Sequence, residues 1–305
     1  MLYRVLLVGA LAVAVTRAHS THAPVWHPDE LPVETNGSGH YEFTLYNHWG
    51  TEYYVNMFVG SPPQLVRIAL DTVSTDLTVF GTEVPHVGGH HLYNHSQSTK
   101  YRFDGRNVTL RHKSSGFLVQ DTVTINSASH DAISVDAQYL TEINDVSSYR
   151  DLFKDMGIDG SLGLGPSYSQ SVGSVPTLIK SLMNKHAIQK PFAGLWMPRH
   201  GNGKFYLGGM PSELESTFQS KTIIPVDSKH KAWGFNINKI TVGEKEIPLR
   251  SETQGVSDEP TRQPYGTLDN MGMMWGPQAA IEAIADALGG EMKTVPRMVS
   301  VSCGF

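Results

Sequence analysis

The stretch YYVNMFVGSPPQLVRIALDTVSTDLTVF, residues Tyr53–Phe80, decides the fold. Apolar and β-branched residues alternate from Tyr54 to Val59, as they do in a half-buried strand. Gly60-Ser61-Pro62-Pro63 interrupts this pattern with turn-forming residues, and Leu65–Leu70 is a second apolar run. The stretch therefore predicts a β-hairpin whose return strand ends at Asp71.

Asp71 is an acidic residue at the carboxyl end of an apolar strand. A half-buried carboxylate at that position needs hydrogen-bond donors, which Thr72, Ser74 and the backbone amides of the turn can supply. The apolar run Leu77–Phe80 follows and predicts a third strand. Asp71 is therefore a candidate functional residue held in a loop between two buried strands.

The same stretch resembles the first catalytic hairpin of pepsin-like aspartic proteases. In that family a tyrosine-rich strand, a Gly-(Ser/Thr)-Pro-Pro-Gln turn and an apolar strand lead to Asp-Thr-Gly-Ser. The turn is intact here as residues 60–64, but the tetrad is Asp71-Thr72-Val73-Ser74, so valine replaces glycine. The resemblance implies an all-β, bilobed fold with a few short helices, and it implies that Asp71 is one of two catalytic aspartates.

The second aspartate implied by the resemblance is Asp269. The segment Tyr265–Pro277 resembles the family's apolar-Asp-Thr-Gly segment, but Asn270 replaces threonine, Met271 replaces glycine, and one residue is missing before the proline. Helical spacing of apolar residues predicts a helix over Pro277–Leu288. The resemblance thus implies a catalytic pair of Asp71 and Asp269, supported by Thr72, Ser74 and Asn270.

Residues Asn107–Ile125 predict two strands that resemble the flap hairpin over the family's cleft. Gly116 matches the returning strand of that hairpin. The family's flap tyrosine is absent, and the turn is shorter by about two residues. Arg111 is either a solvated charge at the strand edge, or Arg111 or His112 lies over Asp71 and holds it ionised.

Further segments extend the resemblance along the chain. Ile158–Pro166 resembles the family's Asp-Gly-(Ile)-Leu-Gly-Leu segment, which packs beneath the catalytic loop. Pro176 and the spacing of apolar residues over 178–183 predict a helix. We predict a signal peptide at 1–18, a polar segment at 19–40, an N-terminal β lobe at 41–208 with the flap, and a C-terminal β lobe at 209–305 that is incomplete.

Composition and the N-terminus indicate the compartment. The 305 residues carry a formal net charge of −5, which argues against nucleic-acid binding, and nothing in the charge balance favours a membrane surface. Arg4, a short apolar run and Thr16-Arg17-Ala18 predict a cleaved signal peptide and a secreted product. Three sequons, at Asn36, Asn94 and Asn107, predict N-glycosylation.

A histidine-rich loop and one cysteine raise two further questions. His86, His90, His91 and His95 could bind a transition metal, but no cysteine or ordered carboxylate accompanies them, so we predict a solvated loop with no metal and no cofactor. The lone Cys303 indicates a disulfide partner outside this sequence. In the family a cysteine near this point pairs with one further on.

The departures from the family pattern lead to two functional hypotheses. Val73 and Met271 add bulk where glycine lets the two aspartate loops approach each other, and the polar segment lacks the family's basic prosegment. We therefore favour a secreted protein that binds a peptide or protein in its cleft, is monomeric, and has weakened or absent proteolytic activity. The alternative is an active acid endopeptidase that uses Asp71 and Asp269.

Overall fold

The computed structural model describes residues 4–8, 40–48, 52–84, 89–110, 114–125, 132–147, 157–165, 173–198, 201–209, 233–237, 239–247, 265–267 and 278–287. Strands dominate these residues, with two α-helices and a short 3₁₀ turn, so the predicted all-β class is confirmed. No helix in these ranges is long and apolar enough to cross a membrane.

The elements are named here in chain order. The strands are β1 (Arg4–Val8), β2 (Tyr41–His48), β3 (Glu52–Val59), β4 (Gln64–Asp71), β5 (Leu77–Phe80), β6 (Arg102–Thr109), β7 (Ser115–Ile125), β8 (Ile133–Asp145), β9 (Gly160–Gly163), β10 (Phe192–Trp196), β11 (Gly203–Leu207), β12 (Gly234–Asn236), β13 (Ile240–Val242), β14 (Lys245–Ile247) and β15 (Tyr265–Thr267). The helices are α1 (Leu178–Asn184) and α2 (Gln278–Ala287).

The predicted hairpin is present as β3 and β4. The two strands pair antiparallel from Tyr54 opposite Ala69 to Val59 opposite Gln64. Gly60 has φ +96°, a backbone conformation that glycine adopts without the strain a Cβ would add, and it begins the turn. The β4 strand ends at Asp71 and β5 follows, as the alternation of apolar residues predicts.

Eleven strands form one sheet in the order β1-β10-β11-β2-β3-β4-β9-β5-β8-β7-β6. The long strand β7 also pairs with the end of β3, so the sheet curls back on itself. Alternating side chains of these strands fill one hydrophobic core, whose fully buried members include Leu45, Val55, Met57, Val59, Val66, Ile68, Val79, Val119, Leu182, Phe205 and Leu207. This core supports the loop that carries Asp71.

The short strand β9 lies between β4 and β5 and approaches both closely. It runs parallel to β4, from Ile68 opposite Gly160 to Asp71 opposite Gly163, and antiparallel to β5. A Cβ on Gly160 would lie 2.1 Å from the carbonyl oxygen of Thr78, and one on Gly163 would lie 2.2 Å from the carbonyl carbon of Thr75. The two glycines therefore let three strands meet beneath Asp71.

Both predicted helices are present. Thr177 caps α1, because its side-chain oxygen accepts a hydrogen bond from the Lys180 amide at 3.2 Å. Leu178 and Leu182 are the residues of α1 that enter the core. The second helix, α2, packs through Ile284 against Ile247 of β14 in a separate small cluster.

The first strand lies within the predicted signal peptide. Arg4–Val8 pairs parallel with β10, from Arg4 opposite Phe192 to Val8 opposite Trp196. These five residues are the part of segment 1–18 that the structure describes. The pairing does not test cleavage, so the targeting role of this segment stays a prediction.

Candidate active site

Asp71 is a half-buried carboxylate held by three donors of its own loop. Its Oδ1 accepts hydrogen bonds from the backbone N–H of Val73 at 2.7 Å and of Ser74 at 3.1 Å. Its Oδ2 accepts a hydrogen bond from the Ser74 hydroxyl at 2.6 Å. Ser74 therefore donates the side-chain hydrogen bond to Asp71 that the sequence predicts, while Thr72 is buried beside it.

Val73 occupies the position where the resemblance implies glycine. Among the described non-glycine residues only Ala137 and His186 have positive φ, so the backbone of Val73 is not in the left-handed region. Its N–H still donates to Asp71. Valine therefore leaves the hydrogen bonding of the first aspartate loop intact.

The segment beneath this loop is bonded to it through the backbone. The Leu164 amide donates to the Asp71 carbonyl at 2.6 Å, and the Gly165 amide donates to the Ser74 carbonyl at 2.6 Å. The buried indole of Trp233 donates from Nε1 to the Leu164 carbonyl at 2.9 Å. The end of β4 is therefore fixed from below, with Trp233 reaching it from a distant part of the chain.

At the other end of β9 lies a second carboxylate, Asp159, which is fully buried. The Arg67 guanidinium binds both of its oxygens, from Nε to Oδ2 and from Nη2 to Oδ1, each at 2.8 Å. The backbone amides of Arg67 and His91 also donate to it, at 2.8 and 2.9 Å. Asp159 thus has enough donors to remain ionised in the interior.

The pKa of Asp159 reflects this environment. Burial alone raises the pKa of a carboxyl group, but the hydrogen bonds from Arg67, His90 and His91 outweigh burial and hold it well below its usual range. Sequence reasoning did not find this pair. An arginine inside the apolar strand QLVRIALD was the available signal, because a cation there requires a buried partner.

The prediction that the histidine-rich loop is solvated and has no ordered carboxylate beside it is wrong, because His90 is buried and the histidines contact two carboxylates. His90 Nδ1 lies 2.9 Å from the Ile158 carbonyl and 3.3 Å from Asp159 Oδ1, whereas His95 Nδ1 lies 2.8 Å from Glu142 Oε1. His86 lies outside the described residues. Within the described ranges no three histidine, cysteine, aspartate or glutamate side chains are grouped to hold a metal ion.

The two strands predicted over Asn107–Ile125 are present as the antiparallel pair β6 and β7, whose role as a flap stays a prediction. Its turn is closed by the Leu110 amide, which donates to the Ser114 carbonyl at 2.9 Å. Arg111 and His112 lie outside the described residues, so the hypothesis that one of them covers Asp71 stays open. Gly116 lies within β7, where an added Cβ would be 2.1 Å from the Glu142 carbonyl oxygen, so this glycine permits close pairing with β8.

The second aspartate loop is described only at its flanks. β15 (Tyr265–Thr267) precedes it and α2 follows it, in the order that the resemblance implies. Asp269, Asn270, Asn36 and Cys303 lie outside the described residues. The other two sequon asparagines are described: Asn94 is half-buried, and Asn107 is exposed on β6.

Comparison with known proteins agrees with this architecture. The sequence profile of the family described as eukaryotic aspartyl protease matches residues 52–305. The chain belongs to this family. Similar members include rhizopuspepsin-2 of Rhizopus niveus, 30% identical over 70% of this chain and 54% of the relative. Embryonic pepsinogen of Gallus gallus is 27% identical over 93% and 68%, and renin-2 of Mus musculus is 26% identical over 85% and 61%.

The chain matches only part of the length of its relatives. The chain spans between about half and two thirds of the length of the family members it matches, for example 54% of rhizopuspepsin-2 and 68% of embryonic pepsinogen. The profile match and the similar pepsins establish the family and the pepsin-like resemblance of the Asp71 hairpin. Activity and substrates are properties of the whole protein.

Proposed function

We propose that this protein is a secreted, peptide-binding member of the family with weakened acid endopeptidase activity, in which Asp71 and Asp269 form the catalytic pair. The observation that carries the proposal is the set of three hydrogen bonds to the Asp71 carboxylate from Val73 and Ser74. Together these donors fix the orientation of the carboxylate at the end of β4.

The geometry of Asp71 suits one half of an aspartic dyad. A carboxylate offers about four acceptor positions. From the residues that the structure describes, Oδ1 receives two N–H donors and Oδ2 receives one hydroxyl, which leaves one position on Oδ2 for a water molecule or a shared proton. In such a dyad one carboxylate deprotonates the water and the other polarises the scissile carbonyl. The shared proton belongs to the pair rather than to either residue.

The proposed weakening originates where the two loops meet. Val73 and Met271 introduce bulk at both glycine positions of that contact, and Asn270 replaces the threonine that braces the second loop. A misplacement of about 1 Å can reduce a reaction rate by on the order of 100-fold. We therefore expect slow cleavage, with peptides bound in extended form between the lobes.

A non-catalytic peptide or protein binder is the second candidate. The flap favours it, because the hairpin closes between Leu110 and Ser114 and its sequence contains no tyrosine to cover the bound peptide. The two candidates differ in one measurable property, which is whether any peptide bond is cleaved in an Asp71-dependent way.

The decisive experiment is cleavage of a denatured protein substrate between pH 3 and 6 by the native protein, a range in which a carboxylate pair can hold one proton. A statine-type inhibitor and the variant Asp71→Asn, which keeps the size of the side chain, are the controls. Slow cleavage that both controls abolish supports the proposal. Cleavage that survives Asp71→Asn overturns the assignment of Asp71.

A second variant separates weak catalysis from none. Replacing Val73 and Met271 by glycine and restoring the missing residue before Pro277 reopens the contact between the loops. We expect cleavage to rise by on the order of 100-fold if the dyad is intact but misplaced. If neither the wild type nor this variant cleaves the substrate, the non-catalytic binder is the candidate that remains. Secretion is tested by N-terminal sequencing of protein from culture medium, where we expect the chain to begin at His19.

A further inference from the structure

The edge strand β6 contains an irregularity that shortens the distance between Phe103 and Asn107. Phe103 pairs with Val119 and Asn107 pairs with Phe117, so four steps along β6 match only two along β7. The intervening residues Asp104-Gly105-Arg106 form a bulge, in which Gly105 has φ +94° and Arg106 is ion-paired with Asp104. Phe103 and Asn107 are therefore neighbours along the strand, about 7 Å apart, instead of about 13 Å.

These two residues share one face of the sheet. Directly opposed residues of an antiparallel pair point to the same side, so Asn107 lies on the face of Phe117. Phe103 lies on that face too, since its ring contacts the Phe117 ring edge to face at a centroid distance of 5.5 Å. Phe103 is nevertheless 56% exposed, the largest exposed apolar side chain among the described residues.

Asn107 is also the acceptor of the sequon Asn107-Val108-Thr109, and the side chains of Asn107 and Thr109 are exposed whereas Val108 is buried. We propose that an N-linked glycan on Asn107 lays its first N-acetylglucosamine on Phe103 and so covers the outer edge of β6. The proposal rests on the secretion proposed above.

The chemistry of a sugar fits this position. The Asn107 side-chain nitrogen attacks C1 of an oligosaccharide carried on a polyprenyl diphosphate, forming the N-glycosidic bond while the polyprenyl diphosphate and a proton leave. A pyranose ring has one apolar C–H face, which matches the exposed face of an aromatic ring, and polar hydroxyls that stay in water. An exposed edge strand bearing an aromatic residue is an aggregation risk, and a bulky hydrophilic group removes that risk.

The test is a cycle of variants of the whole protein made in a glycosylating secretory host. Thr109→Ala removes the sequon, Thr109→Ser keeps it, and Phe103→Ala removes the ring with and without Thr109→Ala. Each is measured untreated, trimmed by an endoglycosidase to one N-acetylglucosamine, and fully deglycosylated. A parallel set carries a heterologous signal sequence, so that a failure of the native leader is distinguished from a failure at Asn107.

We expect the wild type and Thr109→Ser to carry a glycan at Asn107 by peptide mass. Their thermal midpoints should be unchanged by trimming to one sugar and lowered by about 2–4 °C when that sugar is removed. In Phe103→Ala the removal should lower the thermal midpoint by no more than it does in Thr109→Ala, where only the other sequons can contribute. An unmodified Asn107 in both sets, or additive effects of Phe103→Ala and Thr109→Ala, overturns the proposal. So does a dimer in which Phe103 is covered by a second copy.

Discussion

The two ends of the β4 and β9 pair hold carboxylates in opposite ways. Asp71 is half-buried and accepts its hydrogen bonds from Val73 and Ser74, which belong to the same tight loop. Asp159 is fully buried and is held by Arg67 and by His90 and His91, which are remote in sequence. A short ladder from Ile68 and Gly160 to Asp71 and Gly163 joins the two ends.

The difference in burial and hydrogen bonding indicates a different role for each carboxylate. A buried ion pair with a complete set of donors fixes how two strands pair, but it has no access to a substrate. A half-exposed carboxylate with one acceptor position left is suited to chemistry, but it depends on its surroundings for position. We infer that the pair of Arg67 and Asp159 sets the register that holds the Asp71 loop.

The largest effect should come from breaking the buried pair. Asp159→Asn leaves the Arg67 guanidinium without its counter-charge, and we expect the free energy of unfolding to fall by about 3–5 kcal/mol. Denaturant unfolding measures this. The exposed pair of Asp104 and Arg106 is the control, because Asp104→Asn should leave the unfolding midpoint unchanged. Equal effects of the two variants would contradict the role of the buried pair.

The same variant has a defined pH dependence. Because the folded pKa of Asp159 lies below its unfolded value of about 3.9, the unfolded chain binds the proton first as pH falls. The stabilisation by Asp159 is therefore fully present above about pH 5 and declines below about pH 4. The gap between wild type and Asp159→Asn should be constant from pH 5 to 7 and should narrow in stronger acid.

The next largest effect should come from substitutions that push β9 away from β4 and β5. Gly163→Ala and Gly160→Ala each place a Cβ about 2 Å from backbone atoms, and we expect each to destabilise the fold by about 1–3 kcal/mol. Gly163 lies opposite Asp71, whereas Gly160 lies at the Asp159 end. Only Gly163→Ala should also lower the proposed cleavage rate beyond what lost stability explains. A matching loss in Gly160→Ala would break the distinction between the two ends.

The buried carboxyl group of Glu142 has a pKa shift opposite in sign to that of Asp159. Burial raises the pKa of Glu142, and the hydrogen bond from His95 offsets only part of this, while Oε2 has no hydrogen-bond partner in the described structure. Its folded form binds a proton more readily, so stability is full below the unfolded pKa of about 4.3 and falls as pH rises through the folded value.

Glu142→Gln removes this ionisation while keeping the side-chain shape. We expect the variant to be more stable than wild type at pH 7 and equal to it below about pH 4. Unfolding measured across that range checks the crossover. A variant less stable than wild type at every pH would show that the bond to His95 outweighs the cost of burying the charge.

Local signals predicted the Asp71 end well and the Asp159 end poorly. The hairpin, its turn at Gly60, strand β5 and helix α1 follow from alternation, turn residues and helical spacing of apolar residues, which act over a few residues. The Arg67 and Asp159 pair and the β6 bulge depend on strand register between distant segments, which composition does not encode. The resemblance supplied Asp269, whose loop lies outside the described residues, so the dyad stays a prediction.

The smallest effect should come from the single hydroxyl that binds Asp71. Ser74→Ala removes the 2.6 Å hydrogen bond to Oδ2 but leaves both N–H donors on Oδ1, in a site that water reaches. We expect the free energy of unfolding to fall by less than about 1 kcal/mol, because one half-exposed hydrogen bond contributes little. The proposed cleavage rate should fall by about 3–10-fold, since the freed oxygen can rotate out of position. Ser74→Thr keeps the hydroxyl and should retain most of the cleavage rate. If the cleavage rate falls equally in Ser74→Ala and Ser74→Thr, the hydroxyl does not position Asp71. The loop then holds the carboxylate through its backbone N–H groups alone.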